Sequence, residues 1–122
     1  MHELAICRAL LDEIERVARD RQADRVTRIV VRVGPLAGVE PALLESAYPL
    51  VSAGTLAADA VLALEISRVR IRCLACHVDF DVEANKLTCP QCGTWRTRVL
   101  EGDELILASL ELVREKEFAS HV

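Results

Sequence analysis

Apolar residues recur at helical spacing from the start of the chain. Leu4, Cys7, Leu11, Ile14 and Ala18 step by three and four, and Leu10 and Val17 widen the stripe. Arg8, Asp12, Glu15, Arg16 and Arg19 fall outside it, so the pattern predicts an amphipathic helix over roughly residues 3 to 21. The period then changes to two. In "RVTRIVVRVG", Ile29, Val31 and Val33 alternate with Arg28, Val30 and Arg32, a β-branched strand that should end at Gly34-Pro35.

Helical spacing returns in "EPALLESAYPLVSAG", where Leu44, Ala47, Tyr48 and Val51 share a face, Pro41 suits a first turn and Gly54 can close the helix. Pro49 lies inside it and predicts a kink or an early end, because proline lacks the N–H and crowds the preceding turn. Leu62, Leu64 and Ile66 alternate in a second strand that could continue through the arginines toward Cys73. "GDELILASLELV" gives a turn at Gly102-Asp103 and a third strand with Ile106, Ala108, Leu110 and Leu112 on one face. "REKEFASHV" reads as a frayed tail.

The cysteine-rich stretch therefore lies between two strands of one small sheet. The expected class is α+β: two helices packed on a three-stranded sheet, with an inserted zinc-ribbon-like four-cysteine module. In domain terms, residues 1–69 with 102–122 form the α+β body and residues 70–101 the insertion.

Composition narrows the chemistry. Apolar residues make up 52% of the chain and aromatics only 3%, so aliphatic side chains must build the core and stacking on nucleic-acid bases is poorly supplied. A formal charge of -4 and a pI near 5.4 argue against nucleic acid as a partner. Arg68, Arg70 and Arg72 would share one strand face, expected to be solvated, with a docking surface for an acidic partner as the other reading. No apolar run is long enough for a membrane span, and acidic Glu3, Asp12 and Glu13 stand where a secretory signal would be basic then apolar. A cytoplasmic protein is expected, whose five cysteines serve as metal ligands or buried thiols.

In "CLACHVDFDVEANKLTCPQC", Cys73 and Cys76, then Cys89 and Cys92, have two residues inside each pair and twelve between pairs. Two such tight turns brought together make a tetrahedral sulfur cage. Zn(II) in a structural role is the expected ion; mononuclear iron would fit the same cage. Cys73 to His77 also spells the c-type haem attachment pattern, but haem leaves the second pair unexplained and Met1 is the only methionine available as an axial ligand. Four thiolates deny the open coordination position of a hydrolytic zinc, and no nucleophile triad or phosphate-binding glycine loop is present. The chain is therefore not expected to be an enzyme. Cys7, on the apolar stripe, should be a buried thiol.

His2 is harder to place. Helix starts favour Ser, Thr, Asp or Asn as caps, and histidine does nothing comparable. A chain terminus does offer a free amine at Met1, ionisable amides at His2 and Glu3, and here an imidazole, a nitrogen-rich set that suits Ni(II) or Cu(II). On the residues alone, His2 reads first as an incidental residue of a chain end.

The motifs taken in order resemble the HypA/HybF family of hydrogenase maturation nickel chaperones: "MHE", "VGPLAGVEP", "GTLAADAVLALEI", "CLAC", "CPQCG" and "GDEL", collinear over nearly all of the chain. The family commonly has phenylalanines in the second helix, where this chain reads "ESAYPLV". The resemblance implies a nickel site at His2 with the Met1 and Glu3 backbone nitrogens, and a structural zinc on Cys73, Cys76, Cys89 and Cys92. It further implies nickel delivery to a [NiFe]-hydrogenase large subunit together with a HypB-type GTPase. The competing reading is a zinc-ribbon module that binds protein or nucleic acid, with His2 incidental. His77 is expected to be exposed on the ribbon, and His121 to have no role.

Overall fold

A computed structural model describes residues 2–114; Met1, His121 and the tail beyond Arg114 lie outside the described residues. Two helices and two three-stranded sheets give the α+β class expected from the sequence. Helix α1 spans His2–Asp20, strand β1 Arg25–Val33, helix α2 Pro41–Ser52, and strand β2 Val61–Ile66. Strands β3 (Val69–Cys73), β4 (Asp79–Val82), β5 (Thr97–Glu101) and β6 (Leu105–Val113) follow. One sheet has the order β2-β1-β6 and the other β4-β3-β5.

The chain forms two compact units. The first takes the residues up to Val31, Glu40–Leu64, and those from Leu107 onward; the second takes Arg32–Val39 and Glu65–Ile106. In the first unit α1 packs on α2. Its core is aliphatic, with Cys7, Leu11, Ile14 and Ala18 from α1, Leu44, Ala47 and Val51 from α2, and Val26, Ile29 and Val31 from β1. Tyr48 joins them, its hydroxyl donating to the Ala57 carbonyl. Leu4 begins the predicted stripe but is exposed, because it sits a turn before the buried stretch that opens at Cys7.

α2 runs through Pro49 to Ser52, so the early end expected at the proline does not occur. Ala53 leaves the helical conformation at φ -54° and ψ 132°, and Gly54, at φ 76°, takes the left-handed position of the turn that follows, closed by Thr55 N–H on the Ser52 carbonyl at 3.0 Å. α2 also links β1 to β2. The Ser67 amide donates to the Val33 carbonyl at 3.0 Å and Arg32 lies 3.7 Å from Glu65, which brings the ends of the two strands together. They therefore run parallel, and parallel neighbours need a crossover of this kind. β6 runs antiparallel to β1: Asp24 N–H reaches the Val113 carbonyl at 2.8 Å and Gly34 N–H the Glu104 carbonyl at 2.7 Å.

Two strand expectations change. The second strand does not continue to Cys73. It stops at Ile66, and β3 begins at Val69 in the other sheet. The face predicted for the last strand also fails at its start, for Ile106 is 44% exposed and Ala108 is exposed, while Leu105 and Leu107 are half-buried. Leu110 and Leu112 are half-buried as expected, so the alternation changes phase within β6.

Within the second unit, the end of β1, the break before β3 and the turn before β6 converge. A Cβ on Gly34 would lie 2.1 Å from the Gly102 carbonyl oxygen. Leu36 N–H donates to that same oxygen at 2.7 Å. Gly102 itself has φ 117° and packs against Val69. Glu104 fastens the junction, accepting from the Ser67 hydroxyl and, at 2.9 Å, from the Gly102 amide.

Two outcomes are expected. Gly34→Ala forces backbone apart and should cost at least ~2 kcal/mol in urea unfolding, whereas Gly38→Ala, at φ 75° in open space, should cost only about 1 kcal/mol for the left-handed backbone. The Ser67 and Gly102 hydrogen bonds hold the Glu104 carboxyl below its ordinary pKa. A depressed carboxyl stabilises above its unfolded pKa and loses that contribution as pH falls through the folded one. Glu104→Gln should therefore lower stability at pH 7 and leave a flatter acid limb in stability measured against pH.

Candidate metal centres

The four cysteines come together from two matching turns. β3 ends at Cys73, and the turn to Cys76 closes with His77 N–H donating to the Cys73 carbonyl at 2.9 Å. Gly93 N–H does the same to Cys89 at 2.9 Å. Both closing residues are left-handed, His77 at φ 59° and Gly93 at φ 76°. Glycine takes that conformation freely, whereas histidine does so at a cost of about 1 kcal/mol. His77 is exposed, as expected, and its place is set by this turn.

All four sulfurs lie within 4.8 Å of one another. Cys73 and Cys92 are separated by 3.7 Å, Cys76 and Cys89 by 3.9 Å. A tetrahedron with Zn–S of ~2.3 Å has a sulfur–sulfur edge of about 3.8 Å, so the cage fits zinc. Backbone amides already point at the sulfurs. Cys76 N–H donates to Cys73 Sγ at 3.2 Å, and Gln91 and Cys92 N–H donate to Cys89 Sγ at 3.3 and 3.4 Å.

Burial pushes the Cys89 thiol up, but the Cys92 and Gln91 amides outweigh it and bring it down to about 7. Cys76, hydrogen-bonded to Cys92 and desolvated, is pushed up to about 12. The amides thus favour the thiolate at Cys89, and a cation bound by the four sulfurs would favour it at each.

The sheet β4-β3-β5 presents the cage. β3 and β4 pair antiparallel with Arg72 opposite Asp79 and Arg70 opposite Asp81. Arg72 Nε and Nη2 reach the two Asp79 oxygens at 2.7 and 3.2 Å, immediately before Cys73, and hold that carboxyl below its ordinary range. Arg70 meets Asp81 at 2.9 Å, and Arg68 meets Glu101 at 3.3 Å. The arginine face is therefore engaged by the chain's own carboxylates, a pairing invisible in the sequence because it depends on strand register.

At the other candidate centre, α1 begins at His2 itself, one residue earlier than predicted, and His2 is exposed. The first amides of an α-helix have no intrahelical acceptor, so the His2 and Glu3 nitrogens are spared from the helical ladder. The start of α1 is tethered at Glu3. Its Oε2 accepts the backbone N–H of Glu40, the N-cap residue of α2, at 3.2 Å, which lowers the Glu3 pKa. Spacing gives no hint of that tether, which joins residues 37 apart. Met1, whose amine belongs to the expected ligand set, lies outside the described residues. Cys7 is buried, with its thiol pushed up by desolvation, and takes no part in either centre.

Residues 1–112 match the sequence model of a family described as hydrogenase/urease nickel incorporation, metallochaperone, HypA. The chain belongs to the HypA family. Hydrogenase maturation factor HypA of Nitrosospira multiformis is 44% identical over 113 residues, covering 93% of this chain and 98% of its own. The HypA of Aquifex aeolicus is 42% identical over 112 residues, covering 92% and 97%. The solution structure of the Ni metallochaperone HypA from Helicobacter pylori superposes with a TM-score of 0.69 at 26% identity, covering 91% of this chain and 97% of that one. A second HypA solution structure gives 0.72 at 27% identity, covering 93% and 98%. The chain thus has the family's fold together with a four-cysteine cluster that fits a structural zinc. No helix among its described residues is long and apolar enough to cross a membrane.

Because few apolar side chains besides the cysteines are buried in the ribbon, the ion should supply its folding energy. Purified protein is expected to hold one equivalent of zinc. Cys89→Ser and Cys92→Ser should each lose it and unfold the ribbon while leaving helical circular dichroism largely intact; unchanged zinc in both variants contradicts the assignment.

Proposed function

We propose that this chain is a nickel metallochaperone that binds Ni(II) at His2 and delivers it during maturation of [NiFe]-hydrogenase. In this reading Cys73, Cys76, Cys89 and Cys92 hold a resident zinc whose role is structural. The chain acts in the cytoplasm, without catalysis of its own, alongside a HypB-type GTPase and the hydrogenase large subunit. Residues 70–101 form the zinc-binding domain and 1–69 with 102–122 the nickel-binding one. Membership of the HypA family, together with an exposed His2 at the free-amide end of α1, is the observation that carries the reading.

The physics of a helix start constrains the nickel ligands. An N-terminus carries partial positive charge, which opposes a bare cation but stabilises anions. Backbone nitrogens that have lost their protons are anions. A set of Met1 amine, His2 and Glu3 amide nitrogens and His2 imidazole therefore turns an unfavourable place for a cation into a favourable one. Release is built in, since reprotonating any of these nitrogens weakens the site.

Nickel titrations test this on a chain beginning at Met1. His2→Ala, or one residue added ahead of Met1, should lower nickel affinity sharply with zinc content and fold unchanged. His77→Ala and His121→Ala should have little effect. Nickel should be released as pH falls, because imidazole and amides must be deprotonated to bind. If an extended protein binds nickel as tightly as the native one, with the same pH response, the site is wrong and the chain is better read as a zinc-ribbon binding module.

A further inference from the structure

Among the described residues β5 is a terminal strand of the ribbon sheet β4-β3-β5. Its pairing with β3 determines which main-chain groups it leaves over, because in an antiparallel pair the residues that exchange hydrogen bonds alternate with those that do not. Leu74 N–H donates to the Arg96 carbonyl at 3.0 Å, and the register then sets Cys73 opposite Thr97, Arg72 opposite Arg98 and Ile71 opposite Val99. Arg72 and Arg98 therefore form a bonded pair, whereas Cys73 turns its amide the other way, onto the Val78 carbonyl at 3.0 Å. Thr97 and Val99 point their main-chain groups away from β3. The Thr97 amide is taken by the Trp95 carbonyl at 2.9 Å, so the Thr97 carbonyl and both groups of Val99 face the open edge.

The side chains along this edge select what can pair with it. Asp79, Arg72 and Arg98 lie in one row across the three strands. Arg72 holds both oxygens of Asp79, and Arg98 stands directly opposite Arg72, a like-charge placement that is unfavourable unless an acid lies on its far side. Arg98 and Arg96 are exposed, and neither forms an ion pair among the described residues. Charged side chains on an edge strand normally turn other strands away; two arginines turn away basic ones and attract acidic ones. Trp95, immediately before them, is 78% exposed, and an indole displayed to that extent suits a contact surface.

We propose that the β5 edge receives an extended acidic segment of a partner protein, which adds to the ribbon sheet as a fourth strand. Val99 donates and accepts the main-chain hydrogen bonds, a carboxylate of the added strand completes the row at Arg98, and a second, two residues along at ~6.5 Å, meets Arg96. In strand addition the backbone supplies affinity and the alternate side chains supply specificity. The surface lies wholly within the ribbon, so the proposal stands or falls independently of nickel at His2.

The test titrates the full-length zinc-loaded protein with an end-blocked peptide of alternating glutamate and threonine, ~8 residues long, and with its lysine–threonine counterpart. Trp95 is the only tryptophan in the chain, so its fluorescence reports binding. The acidic peptide should bind saturably, and the basic one at least about tenfold more weakly. Arg98→Glu should reverse that preference and Arg98→Lys keep it, with zinc content and circular dichroism unaltered. Hydrogen exchange at the Val99 amide should slow when the acidic peptide is bound. Val99→Pro, which removes the outward donor where an edge strand tolerates proline, should abolish binding; if that variant fails to fold, the Arg98 pair decides. Equal binding of the two peptides, a preference unchanged in Arg98→Glu, a Trp95 response without slowed exchange at Val99, or tighter binding of an oligouridylate than of the acidic peptide each overturns the proposal.

Discussion

The approach of Gly34 to Gly102 is the constraint on which the path of the chain depends. Where a Cβ would stand 2.1 Å from a carbonyl oxygen, no side chain fits, and the backbones pack with nothing between them. β1 ends there, with the Gly34 amide on the Glu104 carbonyl just ahead of β6 and the Leu36 amide beyond it turned onto the Gly102 carbonyl. The chain leaving β2 cannot continue straight either, since Ser67 is bonded to Val33 on one side and to Glu104 on the other. Three separate segments thus share one small hydrogen-bonded junction, and the change of sheet between Ile66 and Val69 follows from it.

What the sequence made legible and what it hid divide along this line. Periodicity located α1, β1 and α2 because each buries one face against a neighbour, and burial writes its period into the chain; β2 was legible from its apolar alternation alone, for its side chains are at most half-buried and Ile66 is exposed. The four-cysteine cage was legible for another reason: a two-residue gap is a local turn geometry, so its spacing survives without knowledge of the fold. Register and junctions leave no such trace. Nothing in "SRVRIRC" says that Ser67 and Arg68 interrupt a strand, because the acceptors that hold Ser67, the Val33 carbonyl and the Glu104 carboxylate, belong to residues more than thirty positions away. The phase of β6 was misread for a related reason: a strand with no fully buried side chain has no single face to advertise.

Pro49 shows propensity yielding to packing. The lost hydrogen bond and the crowded turn are local costs, yet Tyr48 and Val51 on either side of it are buried in the core. Ending the helix at the proline would have exposed Val51, along with the following turn in which Thr55 bonds the Ser52 carbonyl. His77 is a similar case in the ribbon. A left-handed histidine is tolerated because the turn it closes places Cys73 and Cys76 on the same centre, as Gly93 does for the other pair.

Glu3 joins the two demands that a delivery site must meet. Its carboxylate is held by the N-cap residue of α2, while its backbone nitrogen belongs to the first turn of α1, where amides have no helical partner. On the proposed reading, the ligating atoms and the anchoring atoms are therefore on one residue but do not compete. On that reading nickel would come and go at the backbone nitrogens, through changes in protonation, while the side chain keeps the start of α1 registered against α2. A caged ion such as zinc in a tetrathiolate exchanges slowly because every ligand is fixed by buried structure. A cargo ion needs the opposite, a site open to solvent on one side and tied down on the other, and the first turn of α1 has that asymmetry.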